Sequence, residues 1–347
     1  MIKKVLITLF AAGAFSAAAY GGTDPAAFLN IGVGARAMGM GGAYTSVSDE
    51  PSAIYWNPAG LSRVNRISLT AMGQSLGAVK WETLRDITPS YQFVGLTFPF
   101  KQFGFINWIG TDNTFGAGMI SNSLTDVTYT TLDASGKIVR DTFDDLEKAY
   151  YLSYGFSLLG MESISVGGTF KYISQEFTKI EGAKATGYDF EAGMLYDWNN
   201  YTTLGIVMQR GVILNWENGA KDTGTLTTKF GLSRIFLFTD SLSLLGSADL
   251  VQRQNQPLFG HFGTELGYDR NVSGSIVGIE GIYLRFGVDG AALENRYDYM
   301  TKINNNLNYT AGLGLRMFYM GFAMQLDYVM GSYRLGDKNR FSVSIYF

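Results

Sequence analysis

Large apolar side chains occur at every second position in several stretches of this chain. From Tyr150 to Leu158 the even-numbered residues are large and apolar, and the residues between them are Tyr, Ser or Gly. The same period of two recurs over 311–317, 320–328 and 341–347. Such a period places alternate side chains on opposite faces of a β-strand. These stretches are therefore predicted to be strands with one apolar face and one small or polar face.

About fourteen stretches have this character. They cover 66–72, 91–99, 103–110, 147–160, 163–176, 185–198, 202–212, 224–239, 241–253, 258–270, 276–289, 305–316, 319–330 and 339–347. Many exceed the usual strand length in soluble proteins and approach the length that crosses a bilayer at a tilt. The apolar faces would point to a core in a soluble sandwich, or to lipid in a membrane barrel with a polar lumen.

The connections between these stretches alternate in length. Short links fall at 100–102, 160–162, 199–201, 239–240 and around 318, and longer polar links at 73–90, 111–146, 177–184, 213–223, 290–304 and 331–338. Outer-membrane barrels have short periplasmic turns, longer outer loops and an even strand count. The parity therefore favours an all-β transmembrane barrel of about 14 antiparallel strands, although links 254–257 and 271–275 fit it less well. Loop 111–146 is interpreted either as a surface loop or as a docking arm or lid.

The N-terminus predicts an exported chain, and the composition suits a β-structure. Lys3 and Lys4, an apolar run over 5–15 and small residues at 17–19 predict a signal peptide over 1–19. With 43 Gly, 21 Tyr, 24 Phe and 6 Pro, the chain suits long strands joined by tight turns. The 27 basic and 30 acidic residues give no reason to expect a nucleic-acid partner.

Candidate chemistry for catalysis is sparse. The chain has no Cys and a single His, so thiol catalysis and the usual zinc sites are not expected. By alternation His261 shares a face with Glu265, and we expect a luminal polar pair rather than a catalytic base. Neither an enzymatic activity nor a metal or cofactor is predicted.

Residues 20–65 differ from the strands and are predicted to form an N-terminal luminal plug, followed by a barrel over 66–347. The segment is rich in Gly, Ala and Met. It contains Arg36, which is expected either to pair with a luminal carboxylate such as Glu265 or Asp327 or to contact the carboxylate of a ligand. Pro58 predicts a turn at Asn57.

The stretch GARAMGMGGAYTSVSDEPSAIYWNPAGLSRV resembles the N-terminal region of the PorV/PorQ family, relatives of FadL-type outer-membrane proteins. YLRFGVDG, AGLGLRM and LDYVMGSYRLGDKNRFSVSIYF extend the resemblance to the C-terminal part of the chain. The resemblance implies a fourteen-stranded barrel with a hatch, whose motif comprises Arg36, Tyr55, Trp56, Asn57, Pro58 and Gly60. The final Phe347 resembles the signal by which outer-membrane barrels are recognised for assembly.

Two functions follow from the resemblance. The first is protein secretion and surface attachment of type IX kind, in which the barrel receives secreted proteins by their C-terminal sorting domains and works with other secretion components. The second is FadL-like uptake of long-chain fatty acids or other hydrophobic compounds. A transporter needs an apolar path through the plug, whereas a docking protein needs a recognition surface on its loops. In both cases the expected location is the outer membrane, surrounded by its lipid.

Overall fold

The structure, a computed structural model, describes residues 25–76, 90–100, 110–132, 137–254, 256–270, 277–292, 307–332 and 338–347. Sixteen strands lie in these ranges: β1 (Ser68–Leu76), β2 (Ser90–Pro99), β3 (Gly110–Leu132), β4 (Ile138–Leu158), β5 (Met161–Phe177), β6 (Lys184–Asn199), β7 (Thr202–Gln209), β8 (Ile213–Trp216), β9 (Lys221–Thr223), β10 (Thr227–Leu237), β11 (Leu242–Arg253), β12 (Phe259–Asp269), β13 (Val277–Ala292), β14 (Asn308–Tyr319), β15 (Phe322–Ser332) and β16 (Lys338–Tyr346). The predicted signal peptide lies outside the described residues.

Fourteen of these strands, β1–β7 and β10–β16, form a closed antiparallel barrel. The first strand pairs with the last, from Ser68 opposite Tyr346 to Leu76 opposite Lys338, and the pairing of β5 with β6 completes the ring. Closure satisfies the backbone of both terminal strands, which a lipid environment requires. The predicted fold class, including the strand count, is confirmed.

The two faces of the wall differ as the alternation predicts. Phe230, Leu232 and Phe236 on β10 point outward and are exposed, whereas Gly231 and Ser233 point into the lumen and are buried. The rim that carries the short turns also has a set of exposed aromatic side chains, namely Trp198, Tyr201, Phe236, Phe238, Tyr268, Tyr319, Phe322 and Phe347. Aromatic girdles of this kind mark the membrane interface of barrels. We therefore take this short-turn rim as the periplasmic one.

Strand β3 extends from Gly110 to Leu132. The strand predicted over 103–110 lies, except for Gly110, outside the described residues. The prediction of a loop over 111–146 was wrong. The supposed loop 111–146 is mostly paired, because β3 and β4 run side by side from Gly110 opposite Leu158 to Leu132 opposite Ile138. Thr, Ser and Asp dominate this hairpin, so it lacks the apolar alternation by which the other strands were found.

The strand predicted over 202–212 is interrupted. Strand β7 ends at Gln209, and the chain resumes as the short hairpin of β8 and β9, which pairs with the outer end of β6. Gly211 has a φ of 96° at the break, a conformation that favours glycine.

The described N-terminal residues 25–66, here called the luminal segment, lie inside the barrel. They form 3-10 turns at Ala27–Asn30 and Pro58–Arg63 and two short helices, α1 (Ala35–Gly39) and α2 (Ala53–Trp56). Most of their side chains are buried together with inward-facing wall residues such as Tyr91, Phe93 and Ile120. None of the helices in the described part of the chain is long and apolar enough to span a membrane.

Candidate functional site

Arg36, on α1, is the main electrostatic link between the luminal segment and the barrel wall. Its Nε and Nη2 atoms donate to the two carboxylate oxygens of Glu265 on β12, each at 2.9 Å. Its Nη1 atom donates to Asp49 at 2.6 Å and to the Tyr44 hydroxyl at 3.0 Å. A planar guanidinium suits this two-pronged contact, and the buried charges compensate each other. The structure thus places Arg36 against Glu265, one of its two expected partners.

The ionic network continues along the wall away from the luminal segment. Arg285 on β13 donates to Glu265 at 2.5 Å and to Asp327 at 2.7 Å. Gln325 donates to Asp327 and accepts from Arg316. This run of side chains crosses four neighbouring strands, so charged and amide groups fill much of one side of the lumen.

The Asn57-Pro58 pair is held by three wall glycines. Asn57 donates to the backbone oxygens of Thr45 and Met194 and accepts from the Ala59 amide, thereby capping the 3-10 turn that starts at Pro58. Gly155, Gly167 and Gly193 face this pair from β4, β5 and β6, and a Cβ atom on any of them would overlap Asn57 or Pro58. Glycine is therefore required in the wall because the turn approaches so closely.

Replacing Gly167 by valine is expected to displace the Asn57-Pro58 turn from its position against the wall. The new side chain has no room, and overpacking of this kind costs about 1–3 kcal/mol or more. Gly168→Val is the matched control, since an added Cβ there meets its nearest atom, the Glu191 backbone oxygen, at an ordinary 3.7 Å. Limited proteolysis of the luminal segment in folded barrels should show faster cleavage for Gly167→Val alone. Equal cleavage rates in both variants would contradict the requirement for glycine at position 167.

Tyr55 and Trp56 anchor the middle of the luminal segment. Their rings meet edge to face with centroids 5.0 Å apart. Tyr55 donates to the Leu29 oxygen at 2.5 Å, and the Trp56 indole donates to the Val33 oxygen at 2.9 Å. Lys229 from β10 lies over both rings, at 5.8 and 5.7 Å. The aromatic pair therefore ties two turns of the segment together and contacts the wall through a cation.

Gly60 and His261 make contacts that the sequence did not predict. A Cβ on Gly60 would overlap the Ser48 backbone oxygen, so this glycine permits a close approach within the luminal segment. His261 and Glu265 share the luminal face but do not pair. The His261 Nδ1 atom lies 3.0 Å from Asp289 and 3.1 Å from the Gly41 oxygen, whereas Glu265 is taken by two arginines. Spacing along one strand could not reveal these partners on other elements.

Glu50 in the luminal segment is a buried carboxyl group that accepts a hydrogen bond from Ser52 at 2.8 Å and lies 4.0 Å from Arg36. Burial raises the pKa of Glu50 to about 7, although Arg36 acts in the opposite direction. Between its ordinary pKa of 4.5 and about 7 the folded state holds the proton more tightly than the unfolded segment. The seating of the segment is therefore expected to weaken as pH rises through this window, and then to level off.

This pH dependence can be measured by hydrogen exchange of the α1 and α2 amides at pH about 5 and about 8, corrected for intrinsic exchange. The effect on local opening is on the order of 3 kcal/mol at most, from the size of the pKa shift. Glu50→Gln cannot ionise and should remove the dependence. An unchanged dependence in that variant would assign the effect to another group.

Two cavities among the described residues lie between the luminal segment and the wall, and both are small and polar. One of about 280 Å³ opens near the periplasmic rim and is lined by Arg36, Asp49, Arg63 and Asp269, among others. Another of about 50 Å³ lies beside Tyr55, Lys171 and Lys229 at the opposite end. Neither resembles the apolar path that uptake of a hydrophobic compound needs. No group of three His, Asp or Glu side chains suited to a metal occurs in the described ranges.

The β3–β4 hairpin projects beyond its neighbours at the outer rim. Strand β2 pairs with β3 only as far as Ser123, and the ladder between β4 and β5 ends at Asp145. Within the described residues, the part of the hairpin from Leu124 to Leu132 and from Ile138 to Asp144 has no further strand on either edge. This projecting part, here called the outer hairpin, is roughly 26 Å long at 3.3 Å per residue.

Two features hold the outer hairpin in a defined direction. A bulge at its base shifts the register between Leu124 and Val127, and Asp126, with a φ of 59°, donates its amide to Asp144. Tyr129, Phe143, Phe177 and Trp216 then form a row of rings with successive centroids 5.7–5.9 Å apart. Bulges re-aim a strand, and the ring contacts brace the hairpin against β5 and β8. Sequence alternation missed this surface because it is polar.

Comparison with known proteins supports the fold. No protein-family profile matches the chain, and no curated protein does. Among solved structures, the P. putida toluene transporter TodX is similar with a TM-score of 0.54 and 12% identity over 91% of this chain and 99% of the other. The Ralstonia pickettii toluene transporter TbuX gives 0.52 and 13% over 90% and 97%. The monoaromatic hydrocarbon channel CymD gives 0.55 and 11% over 91% and 96%. The chain thus shares the barrel fold of these transporters and channels.

Proposed function

We propose that this chain is a non-enzymatic outer-membrane barrel of PorV/PorQ type that captures secreted proteins at its outer hairpin, in a secretion machinery of type IX kind. The observation that carries the proposal is the outer hairpin, whose strands pair with no further strand beyond Ser123 and Asp145 among the described residues. An exposed strand edge offers unpaired backbone donors and acceptors to which an incoming strand can add. The C-terminal sorting domain of a secreted protein is the partner that the resemblance implies.

The lumen supports the same proposal. The luminal segment acts as a plug: Arg36 ties it to the wall, and its Asn57-Pro58 turn packs against Gly155, Gly167 and Gly193, so the described residues fill much of the lumen. A barrel that holds its cargo at the outer rim has no need of an open lumen. Export by the predicted signal peptide and assembly through Phe347 belong to the proposal. The Phe347 amide bonds to the Ile67 oxygen at 2.9 Å, and its ring packs on Phe322.

A pull-down from detergent-solubilised outer membranes, followed by mass spectrometry of proteins and lipids, tests this function. We expect recovery of several secreted proteins that share a C-terminal domain, together with other secretion components. Recovery of fatty acids or other apolar molecules without a protein partner would contradict it.

The second candidate is uptake of hydrophobic compounds. It is favoured by the interruption of the wall at Gly211, next to the cavity beside Tyr55, and by similarity in fold to proteins named as hydrocarbon channels. Uptake of a labelled aromatic or fatty acid by cells that produce the barrel would favour this candidate. No uptake above the empty-membrane background is expected on the proposed function.

A further inference from the structure

One concavity lies on the outside of the barrel, where the wall faces lipid. It is a groove of about 920 Å³ across β10–β15, here called the outer groove. Small outward-facing residues form its floor, among them Gly246, Ala248, Thr264 and Ala311, and its sides are Phe236, Phe262, Phe286, Tyr309 and Met330. A side chain built on Gly246 would meet no atom within 4 Å. The groove is therefore open toward the membrane rather than filled by the protein itself.

The groove follows one hydrogen-bonded row of the sheet. Arg234 lies opposite Gly246, which lies opposite Thr264, and the row continues through Phe286 and Ala311 to Met330. Five strand spacings at about 4.8 Å give a length of roughly 24 Å. One leaflet of a bilayer core is about 15 Å thick. Because barrel strands are tilted, this row slants through the leaflet and matches an extended acyl chain lying obliquely.

Arg234 places a positive charge at one end of this apolar groove. It faces outward on β10, three residues before the strand ends at Leu237 in the aromatic periplasmic rim. Its guanidinium lies 5.4 Å from the centre of the Phe236 ring, so the side chain extends toward the rim. None of the described carboxylates forms an ion pair with it. A lipid-facing arginine is costly unless it reaches the interface and finds an anion there.

We propose that the outer groove binds one anionic glycerophospholipid of the periplasmic leaflet, with its phosphate on Arg234 and one acyl chain along the floor at Gly246. Charge complementarity selects this occupant, because the guanidinium fork matches a phosphate and lies at headgroup depth. The apolar floor then selects a lipid over a soluble phosphate. The site is separate from the lumen and from the outer hairpin.

Native mass spectrometry of the full barrel, released from micelles doped with dioleoyl phosphatidylglycerol, tests the proposal. One bound lipid per barrel is expected. Dioleoylglycerol, which has the same chains without the phosphate, should be retained at least tenfold less, and glycerol phosphate should not be retained. Arg234→Gln should lower phosphatidylglycerol retention about tenfold, since one charge-assisted contact is worth that factor or more.

Gly246→Leu should abolish retention by filling the floor while leaving the fold intact, because its side chain meets open space. Two controls keep these results specific. Gly73→Leu adds the same side chain at another open, exposed site on β1, and Lys148→Gln removes an exposed charge from β4; both should retain the lipid. Equal retention by wild type and Gly246→Leu would overturn the proposal. So would a second copy of the barrel, or another protein, that occupies this face and is displaced by Gly246→Leu.

Discussion

Replacing Arg36 by alanine is expected to unseat the plug and to make the barrel leaky to small solutes. The change leaves Glu265 with Arg285 alone and leaves Asp49 without its 2.6 Å partner. Removing one member of a buried ion pair costs about 3–5 kcal/mol, because a charge stays buried without compensation. The population of barrels with a displaced plug should therefore rise by two orders of magnitude or more. Planar-bilayer conductance and liposome swelling with small sugars measure this directly.

The Arg36 experiment has two graded controls. Arg63→Ala removes a second arginine of the luminal segment that pairs with the wall, at 2.6 Å from Asp197, but that pair is partly exposed and is worth about 1 kcal/mol or less. Arg36→Lys keeps the charge and loses the two-pronged geometry, so it should give an intermediate conductance. Heat-modifiable migration on gels shows that each barrel is folded. A folded Arg36→Ala barrel with wild-type conductance would refute the claim that the ion pairs of Arg36 hold the plug in the lumen.

Removing the outer hairpin is expected to abolish capture of secreted proteins without harming the barrel. Leu124 and Asp145 lie directly opposite each other at its base. Residues 125–144 can therefore be replaced by Asn-Gly, a two-residue turn whose twist fits antiparallel strands. The shortened chain keeps the ladder within the wall and the whole plug, so folding and the sealed lumen should be unchanged. Recovery of secreted proteins in pull-downs should fall to background.

A surface variant next to the hairpin serves as the control. Lys179 is exposed and donates to the Thr142 oxygen on β4. Lys179→Ala removes that hydrogen bond and the 4.0 Å ion pair with Asp141, and it should keep capture near the wild-type level. Undiminished capture by the shortened barrel would place the recognition surface elsewhere. A loss in both variants would also count against the open edges as the recognition element.

The wall of this barrel was predictable because lipid imposes a strict pattern on it. Each crossing strand shows apolar residues to the membrane, so alternation located β4–β6 and β10–β16 to within a few residues at most ends. The outer hairpin is a continuation of the same strands beyond the membrane. There its stability comes from the backbone ladder and from four aromatic rings, and Thr and Asp replace the apolar positions. The alternation of apolar and polar residues therefore ends where the strands leave the membrane.

The luminal contacts were predictable only in part, for a different reason. A buried arginine in the plug demanded a carboxylate, and this argument led to Glu265. It gave no account of Arg285, which shares Glu265 and extends the network to Asp327. His261 finds its partners, and Gly167 packs against Pro58, on elements that are far apart in the chain and that closure of the barrel brings together. The two short helices, of five and four residues, have no side-chain cap and no apolar period that could reveal them.

Site-specific photo-crosslinking in living cells tests the central claim that a sealed barrel captures its cargo at the outer hairpin. A photoreactive residue at Thr130, on the exposed part of β3, is compared with one at Tyr55, buried in the plug. The account predicts protein adducts at position 130, identified as secreted proteins with a common C-terminal domain, and none at position 55. Small apolar adducts at position 55, with no protein captured at position 130, would contradict it and favour a transporter.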